Sequence, residues 1–409
     1  MLRRITLALL AALAPLITPG FTTRTRVAAG IPSSSSAGQG ARADEDGRRV
    51  AFARAARLRR GVNLSHWFSQ SPGGDYSEHH LLTHTTERDI AVIKSLGFDH
   101  VRFTFEPAPL FDEAHPSDLN PDYLRRLDSA LDMLLASGLS VVFDVHPSDE
   151  FKIRLRTDDR HVEAFAQFWR ALAAHLSTRD PERLFLEILN EPMVEDAYRW
   201  MGIQARVAAR MRDGAPRHTI IATGPRWSSV DELLRIEPLA DPNVIYNFHL
   251  YEPHTFTHQG ATWGAKYWPY LKNVPYPSSP EAVAALLPAV ENESARGALK
   301  AYGDERWNAE RIERMVAPAA EWARRRGVPL TCNEFGVYRA YTPPDARLRW
   351  IEDVRTTLER HGIGWAMWDY AGGFGVAVRR GGRAEEGHAE VDPQTVAALG
   401  LQAPKQPGR

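Results

Sequence analysis

At 409 residues the chain has room for one large domain or two ordinary ones, and 44% hydrophobic with 25% charged residues describes a globular protein with a substantial core. A formal net charge of −1 excludes a body built to hold nucleic acid. A single cysteine, Cys332, excludes an internal disulfide.

The N-terminus, MLRRITLALLAALAPLITPG, sets Arg3 and Arg4 before an apolar run from Ile5 to Ile17. That is the n-region and h-region of an export signal, and the run is short for a membrane span; an uncleaved anchor is the alternative. Small residues at Ala28 and Ala29 offer a cleavage point, so 1–29 reads as a signal peptide. Cleavage there removes Arg3, Arg4, Arg24 and Arg26 and no acidic residue, taking the formal charge from −1 to −5. Export without disulfides suits a bacterial periplasmic or secreted protein, with Cys332 as a small buried apolar residue. Residues 30–49, rich in Ser, Gly, Ala and Arg, read as a disordered linker, and 403–409 as a tail.

From about residue 50 to 402, short apolar runs alternate with helical patterns. The runs are GVNLSHW (61–67), HVRFTF (100–105), SVVFDVH (140–146), LFLEILNE (184–191), TIIATG (219–224), NVIYNFHLY (243–251), PLTCNEFG (329–336) and GWAMWDY (364–370). Between most of them lie stretches such as PDYLRRLDSALDMLLASG, where apolar residues recur every three or four positions as one-faced surface helices require. Gly97, Gly138, Gly327 and Gly362 stand where helix C-caps belong. Eight such units predict a closed parallel (β/α)8 barrel, the TIM-barrel architecture, as a single catalytic domain. An open doubly wound sheet would show a Gly-rich phosphate loop after its first strand, and none is present. The spacing of 85 from His249 to Glu334 must hold extra structure, an insertion at about 252–305.

Polar residues close the runs: Asn63, Arg102, His146, Asn190, Glu191, Thr223, His249, Tyr251, Glu334 and Trp368. In such a barrel the strand C-termini share one mouth, where active sites lie. Two carboxylates facing across a cleft can cleave a glycosidic bond, one protonating the leaving oxygen while the other attacks or activates water. Arg102 beside Glu334 would keep it ionised as a nucleophile, with Tyr251 donating to the same carboxylate. Asn190 could reach a sugar 2-hydroxyl, and Glu191 would be the acid, expected to carry the raised pKa. Trp368 offers a flat ring to a sugar face; His146 and His249 offer further hydrogen bonds. Singly, each has a duller reading as a satisfied polar residue at a loop boundary. The functional reading rests on suitable residues at the same end of eight ordered strands.

On these residues the chain resembles glycoside hydrolase family 5, the cellulase family, across nearly all of 50–400. The motifs are LEILNEP, FDHVRFTF with Arg102, FDVHP with His146, YNFHLYEP with His249 and Tyr251, TCNEFG with Glu334, and WAMWDY with Trp368. The resemblance implies a retaining mechanism with Glu191 as acid/base and Glu334 as nucleophile.

The start of the insertion, EPHTFTHQGATWGAKYWPYLKNVPYP, gathers Phe256, Trp263, Tyr267, Trp268, Tyr270 and Tyr276. Exposed, they would stack on sugars; buried, they would pack the loop onto the barrel. Trp263 and Trp268, with His66 and Trp67 at the end of the first run, are the candidate substrate contacts. Asp144, His146, His66 and His249 also raise a metal-dependent barrel hydrolase, although a nearby cation would weaken metal binding. A binding protein without turnover is the third reading, disfavoured by two intact carboxylates. The expectation is a secreted or periplasmic, monomeric endo-β-1,4-glucanase acting on cellulose-like β-glucans, with mannan or another β-glycan as the alternative substrate. It needs no cofactor or metal, binds no nucleic acid, and keeps no membrane association after signal cleavage.

Overall fold

The computed structural model describes residues 34–379 and 389–402. The signal-peptide reading of 1–29 and the tail at 403–409 lie outside these residues. Residues 34–49 depart from the linker expectation: they belong to a helix, Ser34–Ala55. Composition drew attention to Ser and Gly, but ARADEDGRRVAFARA is dominated by strong helix formers. The compact unit that holds the barrel begins at Ala43, within this helix. The helix end is anchored there by Ala51, which is fully buried, and by Arg54. The Arg54 guanidinium donates to Glu182 at 2.8 and 2.9 Å, to the carbonyl of Arg217 at 2.6 Å and to Thr219 Oγ1 at 3.1 Å.

All eight apolar runs form strands: β1 (Arg60–Phe68), β2 (His100–Phe105), β3 (Ser140–Val145), β4 (Leu184–Glu187), β5 (Thr219–Thr223), β6 (Val244–Leu250), β7 (Leu330–Phe335) and β8 (Gly364–Met367). They pair in parallel and in chain order, and β8 returns to β1 to close the barrel. Helices cover the outside, among them Glu87–Ser95, Pro121–Ala136, Asp159–Leu176, Ala197–Gly214, Ala309–Arg326 and Pro344–Arg360. The four glycines expected at C-caps all take positive φ, between 62° and 91°, a region that side chains with a Cβ avoid. Between β5 and β6 the helical connection shrinks to the single turn Val230–Leu233. No helix among the described residues is long and apolar enough to cross a membrane.

The two-residue period of a strand decides what fills the barrel. Val142, Phe185, Ile221 and Ile245 point inward near the strand starts and pack with Leu58 as an apolar plug. Two residues further along the same faces stand Asp144, Glu187, Thr223 and Asn247, all essentially unexposed. The interior therefore turns from apolar to polar as it rises toward the mouth.

The insertion between β6 and β7 is built of short helices, His254–Thr257, Pro280–Ala284 and Glu293–Glu305. Phe256, Leu271, Val274, Tyr276 and Tyr302 are buried in it, and the Tyr276 hydroxyl donates to Asp353 at 2.7 Å, tying it to the Pro344–Arg360 helix. Of the six aromatics in the segment, Phe256 and Tyr276 thus serve packing.

Candidate active site

Strand β4 stops at Glu187, shorter than the 184–191 run suggested. The chain leaves the sheet through Ile188 and Leu189, and the Asn190 amide donates to the Val145 carbonyl at 2.8 Å. Glu191 then takes φ 42°, a conformation unusual for a residue with a side chain and one that neighbouring contacts must hold. Its carboxylate hangs over the mouth and is 21% exposed, whereas that of Glu334 is 5% exposed.

Strand β7 reaches the mouth differently. Pairing with β6 slips by one residue, so Phe248 faces Cys332 while His249 faces Glu334. Such a bulge lets consecutive residues share a face that alternation would split. Asn333 accordingly reaches Glu187 Oε2 at 2.9 Å, and Glu334 meets Arg102 and Tyr251.

Arg102 organises the polar layer. The guanidinium is fully buried and donates to both Glu187 oxygens at 2.9 Å, to Asn63 at 3.0 Å, to Asn190 at 2.9 Å and to Glu334 Oε1 at 2.6 Å. Asp144 Oδ2 lies 3.0 Å from the same cation. A buried guanidinium is tolerable only when its donors are matched in this way. The fork-on-fork pairing with Glu187 fixes its plane, and that plane aims Nη1 at Glu334.

The remaining predicted residues converge as well. Tyr251 donates its hydroxyl to Glu334 Oε2 at 2.8 Å. His249 Nδ1 lies 3.0 Å from Glu191 Oε1 and 3.5 Å from Glu334 Oε2. Burial pushes the His249 pKa down to about 4, so near neutral pH the ring is uncharged, with Nδ1 facing Glu191. His146 Nδ1 lies 3.0 Å from Asp144, and its Nε2 3.1 Å from Asn190 Nδ2. Burial pushes the Glu334 carboxyl upward, opposed by His249, Arg102 and the Tyr251 hydroxyl. Of the two carboxylates, Glu334 lies deeper.

The aromatic expectations divide. Trp368 is 7% exposed, with one face stacked on His146 at 5.6 Å and 20°. Trp67 corrects its expectation: it is 1% exposed, donates to the Leu81 carbonyl at 2.7 Å and packs against Phe68 and Phe103, so it is core. The irregularity of β1 between Leu64 and Phe68, with His66 at φ 60°, breaks the alternation that would put Trp67 on the face of Asn63 and turns the ring outward. His66 remains at the surface of the cleft, its Nδ1 on the Gln70 carbonyl at 2.9 Å and its Nε2 4.0 Å from Asp369. Trp263 is exposed with an edge against Tyr338, while Trp268 is half-buried and stacked on His254 and His258 at 5.8 and 4.6 Å.

Sequence reasoning missed Glu187, Asn247 and Asn333. The alternation Phe185–Glu187 on one face of β4 carried the signal for the first.

Ligand atoms of Glu191, His249 and Glu334 lie within 4.8 Å of one another, a spacing that a cation could also use. Arg102 and Tyr251 already occupy both oxygens of Glu334, and the Asp144 and His146 atoms engage each other. This donor set suits proton transfer and covalent attack.

Two carboxylates over a barrel mouth, one braced by a guanidinium and a phenol, define the chemistry of a glycoside hydrolase. Residues 60–373 match the family described as cellulase (glycosyl hydrolase family 5), and the chain belongs to that family. Endoglucanase C of Acetivibrio thermocellus is 29% identical over 316 residues, covering 76% of this chain and 90% of that protein. Cellodextrinase A of Ruminococcus flavefaciens is 26% identical over 313 residues, covering 74% and 83%. Among solved structures, Thermotoga maritima Cel5A in complex with cellobiose superposes with a TM-score of 0.69 at 23% identity, covering 85% of this chain and 99% of that one. The same protein has been solved with mannotriose. The chain is a β-glycan hydrolase of this family.

Proposed function

We propose that the enzyme is an endo-β-1,4-glucanase that cleaves with retention of configuration, and that residues 1–29 direct its export. The observation that carries the mechanism is the approach of the Glu191 and Glu334 ligand atoms to within 4.8 Å. Retaining enzymes hold their carboxyl groups about 5–5.5 Å apart, and inverting enzymes about 6.5–9.5 Å, to admit a water. Glu334 attacks the anomeric carbon as the bond to the leaving oxygen breaks, and the Glu191 proton passes to that oxygen. Water then attacks the same carbon, Glu191 takes its proton, and Glu334 departs as carboxylate. The second Nδ2 proton of Asn190 is left for the sugar 2-hydroxyl, since the first faces His146.

The glucan assignment draws on the endoglucanase relatives, and mannan is the alternative because Cel5A of Thermotoga maritima has been solved with mannotriose as well as cellobiose. The test combines a panel of carboxymethylcellulose, mixed-linkage glucan, mannan and laminarin with proton NMR of the first product. The expected outcome is fastest cleavage of the β-1,4-glucans, internal scission, and β-anomer appearing before mutarotation. First-formed α-anomer would rule out the double displacement, and preference for mannan would reassign the sugar.

Glu187 gives a second prediction. Three carboxylates share the Arg102 cation. Glu187→Gln removes one negative charge, so more of the positive field falls on Glu334 and its ionised form becomes easier to reach. The acid limb of kcat/KM, which reports Glu334 ionisation, is expected to move to lower pH by about half a unit. An unmoved or raised limb in a variant that still folds would separate Glu187 from the nucleophile's electrostatics.

A further inference from the structure

The loop 371–376, which follows β8, carries one large side chain, Phe374, among Ala371, Gly372, Gly373, Gly375 and Val376. Two arginines fix its shape. Arg347, 3% exposed on the helix Pro344–Arg360, donates to the carbonyls of Phe374 at 2.6 Å, Gly375 at 3.1 Å and Val337 at 3.2 Å, and to Thr395 Oγ1 at 2.6 Å. Arg339 adds a bond from its amide to the Gly373 carbonyl at 3.0 Å and one from its guanidinium to the Gly375 carbonyl. A Cβ at Gly375 would lie 2.5 Å from the Ala377 carbonyl, so the loop closes this tightly only with glycine there. A guanidinium whose donors meet fixed acceptors in this way leaves the backbone it grips little freedom.

The ring presented by this loop is 6% exposed and lies among aromatic side chains from other segments. Tyr251 meets it at 6.0 Å and 71°, His258 at 5.5 Å and 63°, Tyr338 at 5.6 Å and 46°, and Trp263 at 6.5 Å and 53°. The contacts with Tyr251 and His258 are edge-to-face, the arrangement that aromatic quadrupoles favour. His258 also meets Tyr251, at 5.2 Å and 69°, so the three rings contact one another. Phe374 reaches the chain just past Glu334 as well: a Cβ at Gly336 would lie 3.2 Å from Phe374 Cδ1.

We propose that Phe374 is a positioning residue, whose ring holds the Tyr251 phenol where its hydroxyl meets Glu334 Oε2 at 2.8 Å. This rests on the reading of Glu334 as the nucleophile. Arg102 faces that carboxylate from β2, His249 from β6, Tyr251 from just past β6, and Glu191 from beyond β4. Phe374 has no charge of its own, so it alters the ionisation of Glu334 only by moving one of these, and Tyr251 is the one whose ring meets it. The Tyr251 hydroxyl favours the ionised carboxylate, so a phenol free to swing leaves Glu334 harder to ionise.

The test is a double-mutant cycle of Phe374→Leu with Tyr251→Phe, reading kcat, KM and the pH profile on cellotetraose and the melting temperature of each variant. Phe374→Leu alone is expected to lower kcat about tenfold or more, to keep KM within about twofold, and to move the acid limb of kcat/KM to higher pH. In the Tyr251→Phe background the same substitution should cost less than about twofold, because the hydroxyl it positions is gone. Equal costs in the two backgrounds, or an unmoved acid limb, would make Phe374 a packing residue of the loop and overturn the proposal. A raised KM at unchanged kcat would overturn it in favour of support for Trp263. Phe374→Met replaces the leucine variant if that one melts below the assay temperature. Parental kcat and pH profile in Tyr251→Phe would remove Tyr251 from the nucleophile's support, and the proposal with it. A damaged Tyr251→Phe beside an unaffected Phe374→Leu sinks the proposal alone and leaves the reading of Glu334 standing.

Discussion

Glu334→Gln is expected to lower turnover of every β-glycan the enzyme accepts by at least about 10⁴-fold, the scale on which hydrolases lose activity when their nucleophile is removed. The amide has the same shape and can still accept from Arg102 Nη1 and stay beside Tyr251, so the loss belongs to the missing covalent step. Stability gives the second readout, with its sign fixed by burial. Glu334 titrates above its unfolded value, so its favourable contribution to folding is full in acid and lost as pH rises through the folded pKa. Glutamine does not ionise. The variant should therefore melt at or above the parent temperature at neutral pH, and the difference should vanish in acid below the unfolded pKa. A variant of undiminished activity would remove Glu334 from the reaction. One that is inactive and unfolded would leave its role to be judged from Glu334→Asp, which keeps the charge but withdraws it from the anomeric carbon.

Glu191→Gln is expected to divide substrates by leaving group. General acid–base assistance contributes about 10²–10⁴-fold, and the loss should approach the upper figure for cello-oligosaccharides, whose departing alkoxide is strongly basic. Aryl glycosides with acidic phenols need no proton to leave, so their first step should proceed at nearly the parental rate. The second step still needs Glu191 to deprotonate water, so intermediate accumulates and a burst of phenol precedes a slow steady state. Azide, a nucleophile that needs no deprotonation, should restore turnover and yield the β-glycosyl azide. Equal losses on both classes, or no response to azide, would place the proton transfer on another group.

Much of the fold could be read from the chain because parallel barrel strands are buried on both faces and appear as apolar runs, and the intervening helices carry a separate period with glycine stops. The residues at the mouth were legible for the same reason: a polar side chain that ends an apolar run has few places to go. Depth within the barrel was less accessible. Glu187 lies inside an apolar run, and recognising it requires following Phe185 to Glu187 along one face. Trp67 failed because the break in β1 at His66 reverses the face that counting from Asn63 assigns to it, and no residue type marks that break. The bulge that brings Asn333 and Glu334 to the same interior comes from a register slip between β6 and β7, and no single residue announces it. The helix Ser34–Ala55 was hidden by serines and glycines at its start, while its anchor, Arg54, finds partners 128 to 165 residues away.

Arg102 takes its partners from β1, β3, β4, the Asn190 turn and β7, so its charge is held by the closed barrel as a whole. The segment around Trp263 and Trp268, by contrast, touches that layer only through neighbours such as His258 against Tyr251. The braced carboxylates and the aromatics of the insertion therefore belong to separately anchored parts of the scaffold. Exchanging the 252–305 segment is expected to leave the Arg102 layer in place, whereas an edit to the ring of strands would disturb the partners that hold its charge.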